Sequence, residues 1–444
     1  MREHLHDTPV VVVHNYLESF REFLSRTGDQ EDLLTRRFNG DQALFWLGDH
    51  KLVISSAPIA HAEYLCEQWG YEHTITASPS EFTPSLSMDI LREPLLVEKV
   101  IQHAGPQKRV ALVPYASTKE LYVLAETLQE EQGLEVLLPE SPQLENLWVK
   151  DYVDSKVGFR ALVTQWIQEE NSYPFGYVSP DLEHLEEMTK WFRLQGKGCV
   201  IKASIGGSGV GNLFLPLETM MTREGIVQKI KENPFLKDDL FVVEEYIISP
   251  NRVSPSIEFF VPHPEDGPPK ITYFCDQLFE DSGRFAGMLV GKELEEKRWY
   301  PKLAGIGLHI AEQLQQIGYV GYFDLDSVED AEENIYFVEI NSRRTGGTYA
   351  HEFLYHVFGP NYGDEVSLLC RNKFPAGGIT TLETLESVIG DLSYPMDGEK
   401  RGVIVMLTSA LLLGYFGLII LADTLDETKR LYDELVCRLN EYKR

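Results

Sequence analysis

At 444 residues the chain is too long for one ordinary hydrophobic core, so two or three domains are expected. A hydrophobic content of 43% and an aromatic content of 11% exclude a disordered chain. The formal charge of -29 excludes a broad nucleic-acid surface, because polyphosphate is repelled at long range; an anionic ligand needs a local cluster of Lys, Arg or metal.

Residues 1–146 have mixed α/β character. VVVV at 10–13 and ALFWLG at 43–48 read as strand starts, and KLVISSAP at 51–58 as a strand with a turn after it. HAEYLCEQWG follows as a helix, then RVALVPYAST at 109–118 as a strand running into the helix cap Ser117-Thr118. The helix KELYVLAETLQEEQG ends in glycine, and LEVLLPES is the next strand. Strands alternating with helices predict a small parallel sheet. Its histidines, at 4, 6, 14, 50, 61, 73 and 103, are scattered, and no catalytic constellation is read here. The five cysteines, at 66, 199, 275, 370 and 437, show no CxxC spacing, and the N-terminal run has no cleavage pattern of a signal peptide. Reduced thiols and a cytoplasmic location are expected.

A second domain is expected over 147–370. Lys156 lies near the start of a helix, where a solvated lysine is the ordinary reading and a phosphate contact the alternative. Cys199 to Ala203 form a strand carrying Lys202, followed by a loop holding Gly206, Gly207, Ser208, Gly209 and Gly211. A dinucleotide fingerprint needs a helix straight after the glycines, and a P-loop lysine follows them. Here a strand follows and Lys202 precedes, so the loop caps a hairpin whose backbone N–H groups can cradle phosphate. The strand FVVEEYI at 241–247 ends in Glu244 and Glu245, which either mark its exit to solvent or bring backbone to an adenine edge. SIEFFVP and ITYFCDQLF continue an antiparallel sheet.

In GYVGYFDLDSV at 318–328, Tyr322, Asp324 and Asp326 share one face. In IYFVEINSRRTGGT at 335–348, Glu339 and Asn341 share one face, with Phe337 placed on it too by strict alternation. Antiparallel pairing of these two strands sets Asp326 against Glu339, and like charges so close call for a cation between them. Mg²⁺ fits, since it takes oxygen ligands and needs few from protein. Arg343 and Arg344 add forks for phosphate or carboxylate, and the Thr-Gly-Gly-Thr turn lets backbone approach a ligand.

Residues 371–444 are expected to form a C-terminal subdomain. The uncharged stretch 402–422 is long enough to span a bilayer, with Lys400 and Arg401 before it. Gly414 and Gly417 instead divide it into two buried elements joined by a turn, which disfavours a membrane span. A capped amphipathic helix with Leu431, Leu435 and Leu439 follows.

Taken in order, Lys156, Lys202 with its glycine hairpin, E-x-x-I at Glu244 to Ile247, Asp326, and E-x-N at Glu339 and Asn341 followed by Arg343 resemble the ATP-grasp superfamily. The likeness spans roughly residues 150–360. The RRTGGT ending and the tail from 402 onward are similar to peptide ligases of the pheganomycin type, which carry a pre-ATP-grasp domain in front. Members often have His-Pro after the GGT, where this chain has Tyr349-Ala350-His351. The resemblance implies a pre-ATP-grasp α/β domain, a two-subdomain ATP-grasp fold with antiparallel sheets, and a small C-terminal element. It implies ATP and Mg²⁺ as cofactors and ligation of a carboxylate to an amine, both amino acids or peptides, through an acyl phosphate with release of ADP and phosphate. Lys156, Lys202 and the glycine loop (Gly206, Gly207, Ser208, Gly209) would then hold phosphates. Adenine would lie by Glu244, Glu245 and Ile247, and Asp326, Glu339 and Asn341 would hold the metal. Arg343 would stabilise the transferring group alongside Lys202, and Arg344 would anchor a substrate carboxylate. A small-molecule kinase and a non-catalytic nucleotide-binding protein are the alternatives, and a homodimer is the default assembly.

Overall fold

The computed structural model describes residues 5, 8–21, 24–25, 35–169, 171–207, 210–218, 223–236, 240–280 and 283–443. Near the N-terminus, β1 (Val10–His14), β2 (Lys51–Ser55), β3 (Ile75–Ala77), β4 (Arg109–Pro114) and β5 (Glu135–Leu137) form a parallel sheet in the order β3-β2-β1-β4-β5. Every residue of β1 and β2 is buried, as a parallel sheet covered on both faces requires, which explains the unbroken valine run. The helix Lys119–Glu130 starts where the Thr118 hydroxyl accepts the Leu121 N–H. One expected strand is not there. Residues Arg37–Phe45 wind into a 3₁₀ helix and the chain turns after it, because the buried Lys51 ammonium gathers the carbonyls of Leu44 and Trp46, each at 2.6 Å, and that of Gly48. Curling around a cation satisfies carbonyls that a buried strand would need a partner for.

A four-stranded sheet follows, with β6 (Gly176–Ser179), β7 (Cys199–Gly207), β8 (Val210–Leu215) and β9 (Phe241–Glu245) in the order β6-β9-β7-β8 and all pairings antiparallel. The hairpin between β7 and β8 is the one expected at the glycines; Gly207 pairs with Val210, and Ser208 and Gly209 lie outside the described residues.

The third sheet has eight strands: β10 (Pro255–Val261), β11 (Lys270–Phe279), β12 (Phe285–Val290), β13 (Gly321–Glu329), β14 (Ile335–Asn341), β15 (Ser367–Pro375), β16 (Gly402–Leu407) and β17 (Tyr415–Ala422). Their order is β14-β13-β10-β11-β12-β15-β17-β16. The apolar stretch 402–422 is thus an antiparallel hairpin, β16 with β17, and Gly414 takes φ +82 in the connection. Among the described residues no helix is long and apolar enough to cross a membrane. The expected boundary between residues 370 and 371 falls inside β15, which pairs with β12 on one side and β17 on the other. The helix Leu425–Tyr442, capped by the Thr424 hydroxyl, lays Leu435 and Leu439 into the core against this sheet.

A continuous apolar cluster joins the N-terminal sheet to the large one: Trp46, Tyr115 and Val113 pack in the same body as Tyr349, Phe353 and Ile419. The carboxyl ends of β1 and β4 are thereby held over the segment that follows β14.

Candidate active site

The β13–β14 hairpin is closed by Asp330, whose carboxylate accepts the backbone N–H groups of Glu332 and Asn334 at 2.9 and 2.8 Å. Its ladder sets Asp326 opposite Glu339 and Asp324 opposite Asn341, but the register shifts between Asp326 and Ser327. Ser327 pairs with Phe337, leaving Val338 as the extra residue of a β-bulge. Strict alternation would have put Phe337 on the face of Glu339. The bulge instead lets Phe337 and Ile340 both enter the core while Glu339 and Asn341 stay on the open face.

The bulge is also where two other elements reach in. The Lys202 ammonium, from β7, donates to the Val338 carbonyl at 3.2 Å and forms an ion pair with Glu244 of β9. Lys156, the first residue of the helix Lys156–Trp166, forms an ion pair with Glu339. Asp326 accepts from the amides of Gln277 at 2.8 Å and Asn341 at 2.9 Å. The Asn341 carbonyl oxygen accepts from Arg343 at 2.8 Å, and the other arm of that guanidinium meets Asp154 at 2.5 Å. Lys156, Lys202, Glu244, Asp326, Glu339, Asn341 and Arg343 therefore form one connected polar cluster drawn from three parts of the fold.

The charges are coupled. Burial, reinforced by the facing Glu339, lifts the Asp326 carboxyl above its ordinary range. Asp324, sealed behind it and receiving the Ser256 hydroxyl, is pushed well up by burial and by Asp326 and Glu258. Burial works against the charge on Arg343, yet Asp154, Tyr115 and Glu339 outweigh it and hold the guanidinium protonated. The hard oxygen donors Asp326, Glu339 and Asn341 fit a divalent cation such as Mg²⁺, which would relieve the crowding of the two carboxylates.

Other expected positions lie apart from this cluster. Glu245 points to Lys197 at 2.6 Å, and Ile247 is half-buried just beyond β9. Gly206 and Gly207 are the last residues of β7. Arg344 is a correction: at 1% exposure its guanidinium is gripped by Glu140 at 2.7 Å and Glu352 at 2.8 Å and lies over the rings of Tyr322 and Trp46. Two carboxylates already hold it, so it cannot anchor a third from a substrate without breaking that clamp. The Thr-Gly-Gly-Thr turn is corrected too. A methyl group on Gly347 would lie 2.2 Å from the Tyr273 hydroxyl, so the glycines make room for packing rather than for a ligand. Thr348 opens the helix Thr348–Phe358, in which Tyr349, Ala350 and His351 are buried.

Several partners escape a sequence reading. Asp154 and Gln277 are ordinary helix and strand residues until the fold brings them to Arg343 and Asp326. Glu258, on β10, is wholly buried behind the site and receives the hydroxyls of Thr348 and, at 2.9 Å, Thr272. Alternation in SIEFFVP puts Glu258 on the face of Ser256, the one local signal available.

No family model matches the sequence, and no curated protein matches it. Solved structures do. An N5-carboxyaminoimidazole ribonucleotide synthetase bound to ADP is similar at TM-score 0.55 and 11% identity, covering 98% of this chain and 97% of its own. The Aspergillus clavatus N5-carboxyaminoimidazole synthase, complexed with ADP and its aminoimidazole ribonucleotide, gives TM-score 0.55 and 12% identity, over 98% of this chain and 99% of its own. Biotin carboxylase from Campylobacter jejuni, in complex with a nucleotide, gives TM-score 0.58 and 12% identity over 96% and 90%. At such identities the likeness is one of fold: a parallel-sheet pre-ATP-grasp domain followed by an ATP-grasp fold with a large antiparallel sheet.

Proposed function

We propose that this chain is an ATP-dependent carboxylate–amine ligase of the ATP-grasp superfamily that joins amino acids or peptides and releases ADP and phosphate. One observation carries the reading: two lysines from separate elements, Lys156 and Lys202, converge on a hairpin that presents Asp326, Glu339 and Asn341 side by side. A solvated edge strand has no reason to collect buried lysines from two directions. Solved structures of the same fold that bind ADP support nucleotide use. The amino-acid or peptide class rests on the resemblance of RRTGGT and the tail to pheganomycin-type ligases.

The residues divide the work by charge and position. Lys156 and Lys202 exchange their carboxylate partners for phosphate oxygens when nucleotide enters. The glycine-bearing hairpin of β7 and β8 covers the phosphates, and Glu244, at the end of β9, keeps Lys202 aimed. Asp326, Glu339 and Asn341 would hold Mg²⁺, which would supply positive charge to the phosphate oxygens. Arg343, fixed by Asp154 and Asn341, stabilises the negative charge that grows as the γ-phosphoryl group passes to the substrate carboxylate. The amine then displaces phosphate from that acyl phosphate, and exclusion of water protects it until the amine arrives.

The test is turnover of Mg-ATP with pooled amino acids and peptides, followed by nucleotide analysis and mass spectrometry of the condensed products. ADP and phosphate formed only when a carboxylate and an amine are both present are expected. A phosphorylated acceptor formed without any amine would establish a kinase instead, and AMP with pyrophosphate would overturn the proposed chemistry.

A further inference from the structure

The histidines of the N-terminal domain look scattered in sequence, but the parallel sheet brings two of them together. Asp49 and His50 immediately precede β2, and His73 lies two residues before β3, so the neighbouring strands begin side by side. The His50 and His73 rings lie 4.4 Å apart between centroids, and one ligand atom from each of Asp49, His50 and His73 falls within 4.8 Å of the others. This end of the sheet is opposite to the carboxyl ends of β1 and β4, which face the nucleotide cluster.

We propose that Asp49, His50 and His73 form a second metal site, separate from the nucleotide centre, that takes a borderline divalent transition ion of the zinc class. Two imidazoles and one carboxylate match that class rather than Mg²⁺, which prefers oxygen alone. The carboxylate is pre-set: both its oxygens accept the His73 backbone N–H at 3.0 Å, and one accepts the Thr74 hydroxyl at 2.8 Å. Both imidazoles are exposed, and each turns on two side-chain bonds, χ1 and χ2. An ion about 2 Å from each donor needs only such rotations to draw the three atoms closer. A cleft of about 270 Å³, lined by Asp49, His50, Glu352, Tyr355 and His356, opens beside the group and leaves room for water or a small ligand on the ion.

Calorimetric titration of the full chain with zinc chloride tests this, with excess Mg²⁺ and ADP present to occupy the nucleotide centre. A Cys437→Ser background removes the exposed thiol as a competing ligand. One saturable site is expected, weakened at least about tenfold in both His50→Ala and His73→Ala. Since both side chains are exposed, metal-free melting temperatures and Mg-ATP turnover should stay at the parent value. Cobalt in place of zinc should give the visible absorption of a nitrogen- and oxygen-ligated ion, lost in the same variants. Absence of saturable binding, or binding that neither histidine substitution changes, would overturn the proposal.

Discussion

Lys202 holds two partners at once, the Glu244 carboxylate and the carbonyl of the bulged Val338, and so ties the four-stranded sheet to the β13–β14 hairpin. Lys202→Ala is expected to cut ATP turnover by about 10²–10³-fold, the scale of losing one pre-aimed cationic donor, with the folded state retained by circular dichroism. Arg343 and Arg344, adjacent in sequence, should separate cleanly. Arg344→Ala leaves Glu140 and Glu352 buried without their cation and should cost roughly 3–5 kcal/mol in urea denaturation. Arg343→Ala, whose partner Asp154 is less enclosed, should lose turnover well before stability. Glu258 gives a pH signature. Burial raises its carboxyl from 4.5 to about 8, against the pull of the Thr348 and Thr272 hydroxyls. Between those values the folded state keeps a proton that the unfolded chain releases. The stability from this group is therefore complete below about 4.5 and is lost as pH rises toward 8. Glu258→Gln should flatten the fall in unfolding free energy across that window, by on the order of 1 kcal/mol per pH unit. An unchanged slope would place the titration elsewhere.

At the scale of elements, the β13–β14 hairpin was largely legible in the sequence. Alternation in YFDLDSV and in EIN, separated by a polar turn, sets Asp326 against Glu339, and the register follows. The bulge is not legible, because period-two patterning has no mark for one extra residue, and strict alternation therefore puts Phe337 on the wrong face. Glycines at 414 and 417 announced that 402–422 is a hairpin and not a span. The failure at 43–48 has a definite cause: an apolar run there is wound by Lys51, a residue that local propensity treats as solvated. The partners Asp154, Gln277 and Glu140 could not be found locally, since each acquires its meaning from a contact more than a hundred residues away or from another strand of the sheet; Glu352, eight residues from Arg344, is set against it only by the turn into the helix Thr348–Phe358. The glycine turn after Arg344 supplies a direct test of packing against ligand approach. Gly347→Ala would press a methyl group against Tyr273 and Met288, and a loss of about 1–3 kcal/mol is expected from thermal or urea unfolding.

At the scale of the whole molecule, the polar cluster proposed to take the nucleotide is an assembly of parts that are each incomplete. The helix from Lys156, the sheet carrying Lys202 and Glu244, and the large sheet carrying Asp326, Glu339 and Asn341 supply its charges. The N-terminal sheet meets the segment that follows β14 through the Tyr115 carbonyl, which accepts the Arg344 N–H at 3.1 Å, and through Glu140. With a net charge of -29, the protein offers a nucleotide little attraction beyond this cluster, so binding should depend strongly on the divalent ion. The most direct measurement is a calorimetric titration with ADP, with and without Mg²⁺, of the parent chain and of Lys202→Ala and Glu339→Gln. One site that needs Mg²⁺ and is weakened in both variants is the predicted result. Failure to bind ADP in the presence of Mg²⁺, or binding that neither substitution alters, would contradict the placement of the nucleotide on this hairpin.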